Sequence, residues 1–241
     1  MTALPLFYRQ PRVLQPALHG RLGLSDEPQH SFAKQANAVP LLAAELPAAC
    51  RHMPIVFTDE ALPQPVAVLG LREQQNLFVD GQGRWVPGVY VPAYVRRYPF
   101  IFLEDSARHE LTLCIDEAAP NVVADGSGQP LFDAAGQPAA VTRSALAFCR
   151  DYQAHHQLTR AFADALLSAD LLVDQRAEAN LAAGGSLGLQ GFKVVDEARF
   201  KALPDAVFLH WRAQGWLPLV YSHLLSLGSW AGLVDRLAAA D

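Results

Sequence analysis

The chain is short of lysine and of cysteine, and each shortage disfavours a class of protein. Only three lysines accompany sixteen arginines, and the formal net charge is −5. A protein that binds the phosphate backbone of nucleic acids needs a basic surface, so this balance disfavours a nucleic-acid partner. Cys50, Cys114 and Cys149 are odd in number and widely spaced, which favours buried free thiols over a disulfide framework. We therefore expect a cytoplasmic protein.

The sequence also lacks several short motifs that identify common chemistries. It contains no HExxH, no Walker loop, no dinucleotide-binding glycine pattern and no CxxC pair. His155 and His156 are adjacent on a predicted helix, where their side chains diverge and no third ligand lies one turn away. We predict no metal and no cofactor, although an iron site built from two distant histidines and a carboxylate stays open.

Neither a signal peptide nor a membrane span is predicted. The first nine residues have no basic segment ahead of an apolar core. Leu217 to Val234 is the one stretch apolar enough to resemble a span, but it only just reaches the ~20 residues that a bilayer requires. It also carries His223 and a predicted break at Gly228. We interpret it as a helix packed in protein.

What the chain has in quantity is apolar residues, at 51%, which suffices for a large core. Apolar runs rich in β-branched residues predict strands, and the three- and four-residue spacing from Val141 onward predicts one long helix or two helices in line. A strand pair is expected at 171–177 and 187–195, turning near Gly184 and Gly185, with helices after it. The expected class is α+β: a mainly antiparallel sheet between residues 37 and 195, packed against helices, with a helical C-terminal cluster. We expect residues 1–30 to form an extended arm and residues 31–241 a single domain.

The stretch Leu69 to Leu103 holds the densest mixture of aromatic, arginine, glycine and proline residues. Its pattern predicts a meander of three strands at 65–71, 76–79 and 84–86, with a tight reversal at Asp80 to Gly83. Prolines and glycine then interrupt residues 86–99, so we expect a loop with at most a short helix starting at Pro92. A hairpin from Phe100 through residues 111–116 follows.

This loop cannot bury all its large side chains in a regular layer, so some must face a cleft or a partner. Adjacent arginines diverge on a helix by about 100°, so only one of the two in this loop can reach a given ligand. One interpretation is a clamp for a carboxylate or another anion, with aromatic rings as a stacking wall. The other is structural, with arginines paired to acids or stacked on tyrosines. The candidate ligand-binding residues are Trp85, Tyr90, Tyr94, Arg96 and Arg97, with Arg72, Asn76 and Glu45.

Glu45 ends an apolar run, so its carboxylate is either desolvated, as a catalytic acid would be, or paired with an arginine. Arg96 and Arg97 are the expected partners. Asp116, at the end of a predicted strand, is a second acid-base candidate.

Several long segments resemble one family. They include SFAKQANAVPLLAAELPAACRHMPIVF, LGLREQQNLFVDGQGRWVPGVYVPAYVRRYPF, GFKVVDEARFKALP and GWLPLVYSHLLSLG. These are similar to the SapC-like family of bacterial proteins, from about Ser31 to Leu237. The resemblance implies an association with surface layers and an accessory role in uptake or modification of a small molecule or peptide. It supplies no catalytic residues.

Our leading hypothesis is an accessory protein that binds a small anionic or peptide-like ligand in a cleft lined by arginine and aromatic side chains. The alternatives are a metal-dependent or acid-base enzyme that modifies small molecules or peptides, and a structural protein of a surface layer. Whether the chain forms homo-oligomers stays open.

Overall fold

The computed structural model describes residues 4–27, 29–105, 110–180 and 186–240. The strands are β1 (Pro11–Val13), β2 (Gly23–Leu24), β3 (Ala38–Pro40), β4 (Ile55–Thr58), β5 (Pro65–Val68), β6 (Phe100–Asp105), β7 (Glu110–Asp116), β8 (Val122–Val123), β9 (Gln129–Pro130), β10 (Leu172–Asn180) and β11 (Ser186–Val195). The helices are α1 (Pro16–His19), α2 (Leu46–Ala49), α3 (Ala93–Arg96), α4 (Ala140–Ser168), α5 (Glu197–Lys201), α6 (Asp205–Gln214), α7 (Leu217–Ser226) and α8 (Trp230–Ala240).

Within the described residues, all the paired strands run antiparallel, and they form three sheets. The largest has the order β10-β11-β4-β5-β3, and the smaller two have the orders β1-β7-β6 and β8-β2-β9. The α+β class expected from the sequence is confirmed, and so are the β6–β7 hairpin and the β10–β11 pair. The predicted turn at Gly184 and Gly185 lies outside the described residues.

Helix α4 is the long helix that the spacing predicts, and it runs unbroken for 29 residues. Its inner face buries Cys149, Tyr152, Phe162 and Leu166. Thr159 fixes the helix to the chain before α2, because its hydroxyl accepts a 2.8 Å hydrogen bond from the Ala43 backbone and donates to the His155 carbonyl. This contact places α4 beside the segment that carries Glu45.

Two of the three strands predicted for the meander, at 76–79 and 84–86, are wrong. Residues 76–79 form turns, and only an isolated bridge joins Val79 to Trp85. The cause is Asn76, whose side-chain oxygen accepts from the Phe78 backbone while its amide donates to the Ala33 carbonyl. Such local bonds compete with a strand ladder. The reversal at Asp80 to Gly83 is confirmed, with Gly83 at φ 77°.

The N-terminal residues 4–27 contribute strands to both small sheets: β1 pairs with β7, and β2 with β8 and β9. Asp116 anchors this segment because its carboxylate accepts from the Arg9 and Gln10 backbones and from the Tyr98 hydroxyl. The boundary at residue 30 between arm and domain stays a prediction.

Among the C-terminal helices, α7 packs on β4 and β11 of the large sheet, and α6 packs against α7. Trp211 is buried, and Tyr221 is 49% exposed. Leu217–Ala240 is long and apolar enough to cross a membrane by length and composition alone, a test that core helices also pass. In the structure this segment is interrupted by a 3-10 turn at Leu227–Ser229, where the sequence predicts a break.

Candidate functional site

The centre of the candidate site is the carboxylate of Glu45, which is 5% exposed. One oxygen accepts from the Leu42 backbone at 2.8 Å and so caps the first turn before α2. The other oxygen accepts from the Ala93 backbone at 2.6 Å and from the Tyr90 hydroxyl at 2.8 Å. Glu45 therefore joins α2 to the start of α3. The expected ion pair with Arg96 or Arg97 is wrong: among the described residues, the partners of the Glu45 carboxylate are N–H and O–H donors.

Tyr90 connects Glu45 to Arg96. Its hydroxyl donates to Glu45 and accepts from Arg96 Nη2 at 3.3 Å, while Arg96 Nε donates to the Val91 carbonyl at 3.0 Å. Burial, followed by the charge of Glu45, raises the pKa of Tyr90 to about 12, so the phenol keeps its proton and its place as donor. The Arg96 guanidinium, on an exposed residue, is held in one orientation.

Arg97 points the other way. Its guanidinium lies 4.3 Å from the ring centres of Tyr94 and Tyr152 and 5.9 Å from that of Tyr8. We call Tyr8, Tyr94 and Tyr152 the tyrosine cluster. Contacts of this kind are attractive when the cation is desolvated. Tyr94 also donates to the Leu6 carbonyl at 3.2 Å. Each interpretation of the arginine pair thus applies to one of the two residues. Arg97 is stacked on tyrosines inside the protein, and Arg96 lies at the surface.

The surface beside Arg96 is concave. A recess of about 260 Å³, which we call the Arg96 recess, lies between α4 and the segments carrying Glu45 and Arg96. Its lining residues are Leu42, Ala44, Glu45, Tyr90, Ala93, Arg96, Phe148, Asp151, Tyr152 and His155. The guanidinium of Arg96 lies 5.2 Å from the Phe148 ring centre. The recess therefore offers one cation, two aromatic walls and polar groups at its edge.

Other sequence candidates lie elsewhere. Trp85 is 7% exposed and stacks on Phe78, with ring centres 6.0 Å apart, so it belongs to the core. Asn76 is buried within the turn that its own side chain stabilises. Arg72 is not among the lining residues of the Arg96 recess. Of the eight candidates, the structure brings together Glu45, Tyr90 and Arg96 on one recess, with Tyr94 and Arg97 directly behind it.

Four lining residues on α4 were absent from the sequence candidates: Phe148, Asp151, Tyr152 and His155. A signal for them exists, because the spacing i, i+3, i+4, i+7 puts them on one face of α4. The sequence does not show that this face meets α3, since that depends on the Thr159 contact with a residue 116 positions away.

The catalytic candidates have structural roles. Asp116 is fully buried and anchors the N-terminal segment. Residues 184–188 fit the letters GxSxG, but Ser186 begins strand β11, whereas a nucleophile elbow requires a strand-to-helix turn. In the described part of the chain, no three His, Cys, Asp or Glu side chains are grouped so that they could hold a metal.

Fold and recess together define an α+β protein with a small polar and aromatic cleft. The model of the SapC family matches residues 14–233. The chain therefore belongs to the SapC family, as the sequence resemblance implies. Comparison with curated proteins gives no match, and comparison with solved structures gives none either.

Proposed function

We propose that the protein binds a small zwitterionic ligand of the amino-acid or peptide-terminus class in the Arg96 recess. The observation that carries the proposal is the fixed guanidinium of Arg96. Its Nε and one Nη2 proton are used by Val91 and Tyr90, and no ion pair of Arg96 occurs among the described residues. The remaining edge carries parallel N–H donors, which match the two oxygens of a carboxylate.

The opposite side of the recess supports a positive group. Asp151 is exposed on α4 and lines the recess without pairing with Arg96. An acid and a base that share a cleft but do not bond each other fit a ligand with both charges. Phe148 and Tyr152 offer apolar surface for its body.

The size of the recess restricts the ligand. Sites for drug-sized molecules span roughly 300–1,000 Å³, and the Arg96 recess, at about 260 Å³, lies just below that range. It therefore suits one residue of a peptide or a free amino acid, with a longer peptide continuing into solvent.

Calorimetry with three related probes tests the proposal. L-phenylalanine carries both charges, N-acetyl-L-phenylalanine only the carboxylate, and L-phenylalaninamide only the amine. We expect affinity to fall in that order. Arg96→Gln should weaken binding of the two carboxylates at least tenfold, because charge-assisted bonds contribute about 1.5–3 kcal/mol.

Arg143→Gln is the matched control. Arg143 is also exposed and donates to a backbone carbonyl, that of Pro138, but it does not line the recess. The Arg143→Gln variant should bind the three probes with the same affinity as the unchanged protein. Tighter binding of the amide than of N-acetyl-L-phenylalanine, or no saturable binding of any probe, contradicts the proposal.

A further inference from the structure

The outer side of the last two helices is apolar and largely uncovered. The backbone keeps right-handed helical angles from α7 through Leu227–Ser229 into α8, so Leu217–Ala240 forms one continuous segment of 24 residues. Only 28% of its most apolar window of 18 residues is buried. Residues 213–234 contain no Asp, Glu, Lys or Arg. An uncharged apolar face at the surface marks an interaction site.

Five exposed residues follow one another along this segment at steps of three and four. They are Pro218, Tyr221, Leu225, Gly228 and Gly232, and we call them the outer stripe. Such steps place residues in one line on a helix, as in the contact seam of a coiled coil. Leu225 is 71% exposed, and Tyr221 is half-exposed. Large side chains therefore occupy the first half of the stripe, and glycines occupy the second half.

The fold of a single chain does not explain the two glycines. Neither has a positive φ, so neither needs the conformational freedom of glycine. A Cβ atom added at either position would meet nothing within 4 Å in the described part of the chain, apart from its own helix backbone. Glycine is nearly the least favourable residue for a helix. A second helix that packs closely against the bare backbone explains both positions.

The stripe is complementary to itself when two copies run antiparallel. With a two-fold axis between Leu225 and Gly228, each Leu225 faces Gly228 of the second copy, and each Tyr221 faces Gly232. Every large side chain then meets a gap. A two-fold contact requires this reciprocity, because the same surface serves on both copies. A parallel arrangement would instead place leucine against leucine and glycine against glycine.

The charges at the ends of the stripe favour the same direction. The next exposed position after Gly232 at a step of three is Asp235. In the antiparallel arrangement Asp235 faces Pro218 of the second copy, in the first turn of α7, where a helix carries partial positive charge. The parallel arrangement would bring two copies of Asp235 together, and like charges repel.

The geometry points to a homodimer in which the outer stripes of two copies pack antiparallel about this two-fold axis. The stripe shares no residue with the lining of the Arg96 recess, so the inference is independent of the proposed function. Standard interfaces use about 20–30 residues a side, more than one helix face supplies. We therefore expect a dimer that dissociates on dilution.

Sedimentation velocity on the full chain tests the dimer. Between about 1 and 100 µM, where interfaces smaller than standard dissociate, the average mass should rise from that of a monomer toward twice that value. Leu225→Glu should raise the dissociation constant at least tenfold, because it buries a carboxylate at the axis. Leu158→Glu is the matched control, since Leu158 on α4 is 62% exposed but lies outside the stripe. It should leave the dissociation constant unchanged.

A second pair of variants tests the register. Gly232→Tyr fills the gap that receives Tyr221 and should abolish the dimer, although the space around Gly232 is open in one chain. Adding Tyr221→Ala to Gly232→Tyr exchanges the large and small positions and should restore the dimer. Circular dichroism checks that each variant folds, and Leu225→Ser replaces Leu225→Glu if that variant does not.

Three results overturn the inference. The first is a mass that stays monomeric over the whole concentration range, including the case in which the monomer sediments with phosphatidylcholine vesicles and a lipid surface covers the stripe. The second is a dimer that Leu225→Glu affects no more than Leu158→Glu does. The third is a doubly exchanged variant that dimerises no better than Gly232→Tyr alone.

Discussion

Arg96 and Arg97 are consecutive residues, yet their guanidinium groups lie in opposite environments. Arg97 is enclosed by the tyrosine cluster, with ring centres at 4.3 to 5.9 Å. Arg96 is exposed, and its orientation is fixed by the Val91 carbonyl and the Tyr90 hydroxyl. The same residue type therefore has two roles here. Arg97 holds segments of the protein together, whereas Arg96 leaves N–H donors free for a ligand.

The same contrast applies to the tyrosines. The hydroxyl of Tyr90 acts as a relay between a buried acid and an exposed base. The rings of the tyrosine cluster act as packing surface for a cation. An orienting group such as Tyr90 belongs to the recess, and loss of it should affect binding more than folding. Loss of a cluster ring should do the reverse.

The largest expected effect is on stability at alkaline pH. Burial raises the pKa of Tyr8, Tyr94, Tyr98 and Tyr152 above the usual value near 10. The folded protein therefore keeps protons that the unfolded chain releases, so this stability is complete below about pH 10 and is lost as pH rises further. Each fully buried phenol adds a slope of up to about 1.4 kcal/mol per pH unit.

Urea midpoints between pH 8 and pH 11.5, followed by circular dichroism, measure this loss. Absorbance of tyrosinate near 295 nm should rise together with unfolding, because the cluster phenols ionise only when they are exposed. A midpoint that stays level to pH 11.5, or ionisation well before unfolding, would show that the cluster is open to water.

The next effect separates the two arginines directly. Arg97→Met keeps a long side chain but removes the cation from the cluster, and we expect a loss of about 2–3 kcal/mol in the free energy of unfolding. Arg96→Met removes an exposed group and should cost less than about 0.5 kcal/mol. Urea denaturation of both variants measures the difference. Equal losses would abolish the distinction between an inner structural arginine and an outer functional one.

Much of this arrangement follows from local pattern. The helical spacing from Val141 predicts α4, and the alternation around residues 171–195 predicts the β10–β11 pair, because both are periodic signals. The divergence of Arg96 and Arg97 follows from helix geometry alone. Which of them faces inward does not, since α3 has one turn and its orientation is set by long-range bonds such as Tyr94 to Leu6 and Ala93 to Glu45.

The errors have the same origin. Asn76 adopts a turn because its side-chain amide donates to the Ala33 carbonyl, 43 positions away in the chain. Glu45 takes Tyr90 and the Ala93 backbone as partners, where residue type alone suggested an arginine. The bulge at Gly191 depends on the register of β11 with β10. Contacts between distant segments decide each of these features, and a single sequence does not display them.

The smallest of the three effects tests how the recess is held together. Glu45→Gln replaces a carboxylate that accepts three bonds with an amide that presents an N–H₂ group to at least one donor. We expect a loss of about 2 kcal/mol in unfolding free energy, since bonds to a charged group contribute about 1.5–3 kcal/mol. Tyr90→Phe removes a single hydroxyl and should lose about 1 kcal/mol. Tyr90→Phe removes the acceptor of Arg96 Nη2, and Glu45→Gln changes the acceptor that holds the Tyr90 hydroxyl in place, so both should weaken binding of N-acetyl-L-phenylalanine by calorimetry. If Tyr90→Phe lowers stability but leaves that affinity intact, Tyr90 is not what orients Arg96, and the bond from Nε to the Val91 carbonyl suffices.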